Sequence, residues 1–160
     1  MSSKERKIKV VMATRGLETH WRGAVTVAGM LQNQGMDVIY RGNAYPKEII
    51  EVAIREDADV IGISSLLGAH LTLGGELFQM ATQKGIKGEM VFIIGGVIPP
   101  HDVPKLKELG FDGIFGPGAR EEEISGFIRN VVTAKSKLTE HRKGFINIGE
   151  LLKKKELNRF

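Results

Sequence analysis

The sequence predicts an α/β fold, a doubly wound parallel sheet of five strands with helices on both faces. Three observations carry this. Short β-branched apolar runs alternate with helical stretches as far as about residue 135. The joints between them are short, as in β-α units whose crossovers are right-handed. The runs are also nearly continuous in apolarity, which marks strands covered on both faces.

Ile8–Ala13 reads as the first strand, with an amphipathic helix over Gly23–Gln34 behind it, stopped at Gly35. Asp37–Tyr40 is the second strand. Pro46 suits the first turn of a helix over Pro46–Asp57, in which Ile49, Ile50, Ala53 and Ile54 form one stripe opposite the charges. Asp59–Ser64 is the third strand, and Leu71–Lys84 the helix after it, stopped at Gly85. Met90–Ile94 is the fourth strand, followed by a short helix, Val103–Leu109, that ends at Gly110. Gly113–Phe115 and Glu121–Lys135 complete the series as a strand and a helix. The expected arrangement is flavodoxin-like (Rossmann-like), with strand order 2-1-3-4-5. In such sheets ligands bind beyond the carboxyl ends of the strands, at the switch between strands 1 and 3.

Composition narrows the function classes. At 160 residues, with 42% hydrophobic and 26% charged side chains, the chain can build one core without staples. No apolar run approaches 18 residues, so no membrane span is expected. Zero cysteines exclude disulfides, thiolate metal sites and a cysteine nucleophile. The charged start, "MSSKERKIKV", lacks the apolar stretch of a secretory signal, and a cytoplasmic location fits. From Ala134 to Phe160 there are eight Lys/Arg against three Asp/Glu, a net +5, which leaves the other 133 residues at −1 of the total +4. The basicity belongs to the tail and not to a face of the fold, so a nucleic-acid partner is not expected. The domain is placed at residues 1–137 and a basic C-terminal tail at 138–160.

Four groups follow the strands and share one edge of the sheet. They are "TRGLETHWRG" (14–23), "SSLLGAH" (64–70), "GGVIPP" (95–100) and "GPGAR" (116–120). Gly95–Gly96 removes side chains where strand 4 ends, so a bulky ligand can approach the backbone. Ser64 and Ser65 offer hydroxyls and Leu66 an apolar wall. His20 offers an imidazole, and Glu18, two residues away, could hold its other ring nitrogen and fix the tautomer. Taken singly, Gly-Gly is a turn, the serines are helix caps and His20 is a surface histidine; placed on one edge, they make a site. Neither G-x-x-x-x-G-K-[ST] nor G-x-G-x-x-G after strand 1 is present. Ser64 stands where a phospho-acceptor receiver needs an aspartate, and "GPGAREEE" puts acids, not a phosphate site, at a helix start. A lone histidine cannot close a zinc site.

In these residues the chain resembles the cobalamin-binding domain of the methylmalonyl-CoA mutase family of acyl-CoA mutases. That family's D-x-H-x-x-G, S-x-L and G-G stand here as "ETHWRG" (Glu18–Gly23), "SSL" (Ser64–Leu66) and Gly95–Gly96. The flanks "GISSLLGAHLTL", "IIGGVIPP" and "IFGPG" agree, and the resemblance runs from about Lys7 to Ala134. It implies that adenosylcobalamin binds base-off, with His20 as the lower axial ligand to cobalt and Glu18 as that histidine's partner. The freed nucleotide tail would enter a slot lined by Ser64, Leu66, Gly95 and Gly96, with Gly116 and Gly118 near its mouth. Arg22 and Gly23 complete the implied cofactor-binding set, and none of these residues is implied to be catalytic by itself. Two positions depart from the family: Glu18 replaces its aspartate, and Thr14 stands where a lysine is frequent. Trp21 is unusual beside the ligand.

The family's acyl-CoA site lies in a (β/α)8 barrel of about 250 residues, for which this chain has no room. The resemblance therefore implies a small subunit of an isomerase that is inactive alone and docks on a large barrel subunit. Methylmalonyl-CoA, 2-hydroxyisobutyryl-CoA and bulkier branched substrates are all compatible with it. Phe145, Ile146, Ile148, Leu151 and Leu152 make the tail either a docking arm or a solvated segment. Two other readings share the motif, a corrinoid methyl carrier and a non-catalytic cobalamin sensor or carrier. His70, His101 and His141 read as helix-start, loop and tail residues without a role.

Overall fold

The computed structural model describes residues 6–15, 21–65 and 69–136. The elements run β1 (Lys9–Arg15), α1 (Trp21–Asn33), β2 (Asp37–Ala44), α2 (Pro46–Arg55), β3 (Val60–Ser64), α3 (His70–Gln83), β4 (Val91–Gly95), a 3-10 turn (Pro100–Asp102), α4 (Val103–Leu109) and β5 (Gly113–Phe115). A last helix, α5, covers 121–136. All strand pairs are parallel and the order is β2-β1-β3-β4-β5, as expected from the alternation of elements.

The strands are apolar on both faces because each face has its own core. Val11, Ala13, Ile61, Ile63, Phe92 and Ile94 pack with residues of α2, α3 and α4. Their neighbours Val10, Met12, Val60, Val91 and Ile93 point the other way, towards Ala28 and Leu31 of α1 and Ile124 and Ile128 of α5. This is the period-2 alternation of a pleated strand applied to a sheet covered twice. On α1, Ala24, Ala28 and Leu31 form the buried stripe at helical spacing. At the far end of α5, Lys135 Nζ lies 2.9 Å from Asp112 Oδ2 and donates to the Met90 carbonyl, pinning that helix across β4 and β5.

Two elements depart from expectation. β2 runs four residues beyond Tyr40, to Ala44. Gly42 and Asn43 look like turn residues, but β1 also continues to Arg15 and pairs with them. The register shifts between Met12 and Ala13, leaving Arg41 as an extra residue, and Gly42 with φ 72° absorbs the bulge. On α2 the buried set is Pro46, Ile49, Ile50, Val52 and Ala53, whereas Ile54 is 43% exposed. The stripe is centred between Ile49 and Ala53, and at 100° per residue Ile54 falls outside it.

Candidate functional site

A cavity of about 300 Å³ lies beside the sheet, on the face covered by α1 and α5. That places it at the small end of ligand clefts, which span about 300–1,000 Å³. Its floor is a row across three strands, Met12, Gly62 and Ile93, which are direct register partners. Gly62 is required there: a Cβ on it would sit 2.4 Å from Met12 Sδ and 3.3 Å from Ile93 Cγ1. The α1 wall consists of Gly23, Ala24, Thr26, Val27 and Met30, among which spacings of three and four residues put the side chains on one face.

The upper rim comes from the ends of three strands. Ser64 ends β3 opposite Gly95 of β4, and Gly95 pairs in turn with Phe115 of β5. Backbone bonds tie these ends together: Ser65 N–H donates to Gly95 O at 3.0 Å, and Gly96 N–H to Phe115 O at 3.1 Å. Gly96 (φ 134°) and Gly118 (φ 83°) hold conformations that strain any other residue, so bare backbone faces the cavity. A Cβ on Gly95 would lie 3.5 Å from the Phe115 carbonyl and would fill the same space.

Six of the residues singled out in the sequence thus meet in one place: Gly23, Ser64, Gly95, Gly96, Gly116 and Gly118 all line this cavity. Arg22, beside Gly23 in the first turn of α1, is exposed and does not line it. Glu18, His20 and Leu66 lie outside the described residues, as does the tail. β1 ends at Arg15 and α1 begins at Trp21, so the flanks of 16–20 are fixed at the carboxyl edge, beside the cavity. Thr14 is fully buried, and its hydroxyl donates to Asn43 Oδ1 at 2.7 Å. It stands opposite Ser64 in the β1–β3 register but supplies no charge to the edge.

The sequence reading missed two features. The floor residues Met12, Gly62 and Ile93 are indistinguishable from core residues in a continuous apolar strand. His70, taken as a plain helix-start residue, is 2% exposed, and its Nε2 lies 2.8 Å from Asp102 Oδ2. The signal was present, since His70 falls on the buried stripe of α3 with Leu73 and Leu77. Its hydrogen bond is the main cause that holds the Asp102 carboxyl below its ordinary value. Burial opposes this, and the nearby His101, His70 and Lys105 charges assist it. Nδ1 of His70 is buried with no partner among the described residues.

Chemically, the cavity offers flat apolar surface, one serine hydroxyl and exposed backbone at its rim. Those features suit an aromatic ring joined to a polar linker. Among the described residues there is no cluster of His, Cys, Asp or Glu able to hold a metal ion by itself, and no helix long and apolar enough to cross a membrane.

Comparison with known proteins agrees with this geometry. The profile of the B12 binding domain family matches residues 8–124. The 2-hydroxyisobutanoyl-CoA mutase small subunit of Aquincola tertiaricarbonis is 37% identical over 129 residues, which are 80% of this chain and 94% of that protein. Methylmalonyl-CoA mutase of Cereibacter sphaeroides is 38% identical over 129 residues, 79% of this chain but 18% of the longer protein. Among solved structures, a cobalamin-binding protein from Desulfitobacterium hafniense superposes with a TM-score of 0.67 at 20% identity, covering 78% of this chain and 59% of that one. With three strand ends and one helix face converging on the cavity, and the profile spanning every strand of the sheet, the chain belongs to the B12-binding domain family.

Proposed function

We propose that this chain is the cobalamin-binding small subunit of an adenosylcobalamin-dependent acyl-CoA mutase of the cytoplasm, an isomerase whose substrate site lies in a separate large subunit. The observation that carries this reading is the convergence of Gly23, Ser64, Gly95, Gly96, Gly116 and Gly118 on one apolar cavity at the switch-point edge. The similarity to a mutase small subunit over 94% of its length gives the class of reaction. In the longer methylmalonyl-CoA mutase the matching region is 18% of the chain, which leaves the acyl-CoA chemistry to the remainder.

The residues divide the work. The cavity would hold the nucleotide tail of the corrinoid, with Met12, Gly62 and Ile93 as apolar floor and Ser64 and Gly95–Gly96 as rim, and Leu66 is assigned to the same set. His20 would ligate the cobalt in place of the cofactor's own base. Glu18 accepts a hydrogen bond from the other ring nitrogen, fixing the tautomer and raising the basicity of the ligand. Adenosylcobalamin, when bound, supplies radical chemistry by homolysis of its cobalt–carbon bond. This chain would hold and orient that group for a (β/α)8-barrel subunit that binds the acyl-CoA. Residues 1–137 form the cofactor domain, and 138–160 form a basic arm whose apolar residues dock on that subunit.

Reconstitution tests the reading. The large subunit alone is expected to be inactive with adenosylcobalamin, and addition of this chain is expected to give both a stable complex and acyl-CoA isomerisation. Cobalamin uptake without complex formation would favour a sensor or carrier. Methyl transfer in place of isomerisation would favour a corrinoid methyl carrier.

A further inference from the structure

The buried pair His70–Asp102 lies on the α3–α4 side of the sheet and lines no part of the cavity. It nevertheless joins the two chain segments that do. Ser64 and Gly95 are register partners at the ends of β3 and β4, and the Ser65–Gly95 backbone bond is the last tie between those strands among the described residues. Beyond it the chain runs from Ser64 to His70, the first residue of α3, and from Gly96 to Asp102, the last of the 3-10 turn, six residues in each case. The ends of the two segments are joined where Nε2 of His70 donates to Oδ2 of Asp102 at 2.8 Å. His101 Nε2 lies 3.5 Å from the other carboxylate oxygen and Lys105 Nζ 3.9 Å from it, both on exposed side chains. His70 Nδ1 has no partner among the described residues. An apolar pair of similar size would bury both positions without leaving a ring nitrogen unpaired, so the contribution of the polar pair is a directional tie.

Resting on the cobalamin reading above, we propose that His70 and Asp102 are positioning residues. Their bond fixes the segments that carry Ser64 and Gly95–Gly96, and through them it sets the affinity for the corrinoid's nucleotide tail. Loss of the bond frees both segments, and binding must then order them again.

The test uses the full chain and two ligands, cobalamin and cobinamide, which lacks the tail. His70→Leu is expected to weaken cobalamin binding about tenfold, the scale of one lost hydrogen bond to a charged acceptor, with cobinamide binding unchanged within about twofold. His70→Gln, whose amide can still donate to Asp102, is expected to recover most of the loss. If His70→Leu does not fold, Asp102→Asn serves instead: it keeps the shape, weakens the acceptor and is expected to lower cobalamin affinity alone. Equal losses for both ligands in step with a lower unfolding midpoint would overturn the proposal, as would wild-type affinities in the folded variants. If the wild type binds neither ligand, the cobalamin reading itself falls. If the wild type binds cobalamin and the variants match it, only the positioning role falls.

Discussion

Gly23→Leu separates the cavity's role in binding from its role in folding. Gly23 is the third residue of α1, facing Ser64, and a Cβ added there meets only Ser64 Oγ at 3.9 Å, an ordinary contact. The fold therefore accepts the side chain, and replacing a helical glycine adds up to about 1 kcal/mol of helix propensity. The rest of the leucine extends into the space between α1 and β3, where the nucleotide ring is placed. Burying a ring of about 150–250 Å² at about 25 cal/mol per Å² stabilises the complex by roughly 4–6 kcal/mol as an upper bound. If the leucine displaces half of that contact, about 2–3 kcal/mol is lost, or about 30- to 150-fold in Kd. Titration of the apo-protein followed by visible absorbance, run beside thermal unfolding, measures both terms. The expected result is an unchanged or higher midpoint with weakened cobalamin binding and unchanged cobinamide binding. A folded Gly23→Leu protein with wild-type cobalamin affinity would refute the placement of the tail.

Further outcomes follow from the same geometry. Gly62→Ala forces a Cβ to within 2.4 Å of Met12 Sδ, and urea unfolding should show a loss of about 1–3 kcal/mol from overpacking. An unchanged midpoint would mean that Met12 moves aside without strain. Asp102 has a folded-state pKa below its unfolded value, so its contribution is present above about pH 4 and is lost as pH falls through the folded pKa. The stability gap between wild type and Asp102→Asn should thus shrink as pH falls below about pH 4 in chemical denaturation; a gap that persists or grows there would contradict this. Truncation after residue 138 should weaken binding to the large subunit by about tenfold or more, as expected when an apolar anchor is removed. Unchanged affinity would make the tail a solvated segment.

Most of the architecture was legible because its signals are local. Continuous apolar runs such as "VVMA" and "VFII" can only be strands buried on both faces or helix segments too short to stand alone. Pro46 does open α2, and Gly35 and Gly85 follow the ends of α1 and α3 with φ of 84° and 73°. The rim was legible for a topological reason: once the strands are parallel, whatever follows each of them gathers at one edge. The bulge of β2 was not, because pairing with a longer β1 overrides the turn preference of Gly42 and Asn43. The cavity floor was hidden because a residue that lines a cavity and one that fills a core have the same apolar character. The His70–Asp102 pair was hidden by its separation of 32 residues in sequence, although a histidine on an apolar helix stripe signals that a buried partner must exist.

The visible spectrum of the reconstituted protein, compared between wild type and His20→Ala, tests the central claim most directly. In the proposed complex the burial of the tail's ring would outweigh any single polar contact, which is worth about 1 kcal/mol. The wild type is expected to show the spectral signature of an imidazole-ligated cobalt, and His20→Ala to take up cobalamin more weakly, to remain base-off and to lack that signature. A base-on spectrum for the wild type, or no uptake at all, would contradict the claim that this fold captures cobalamin by its nucleotide tail.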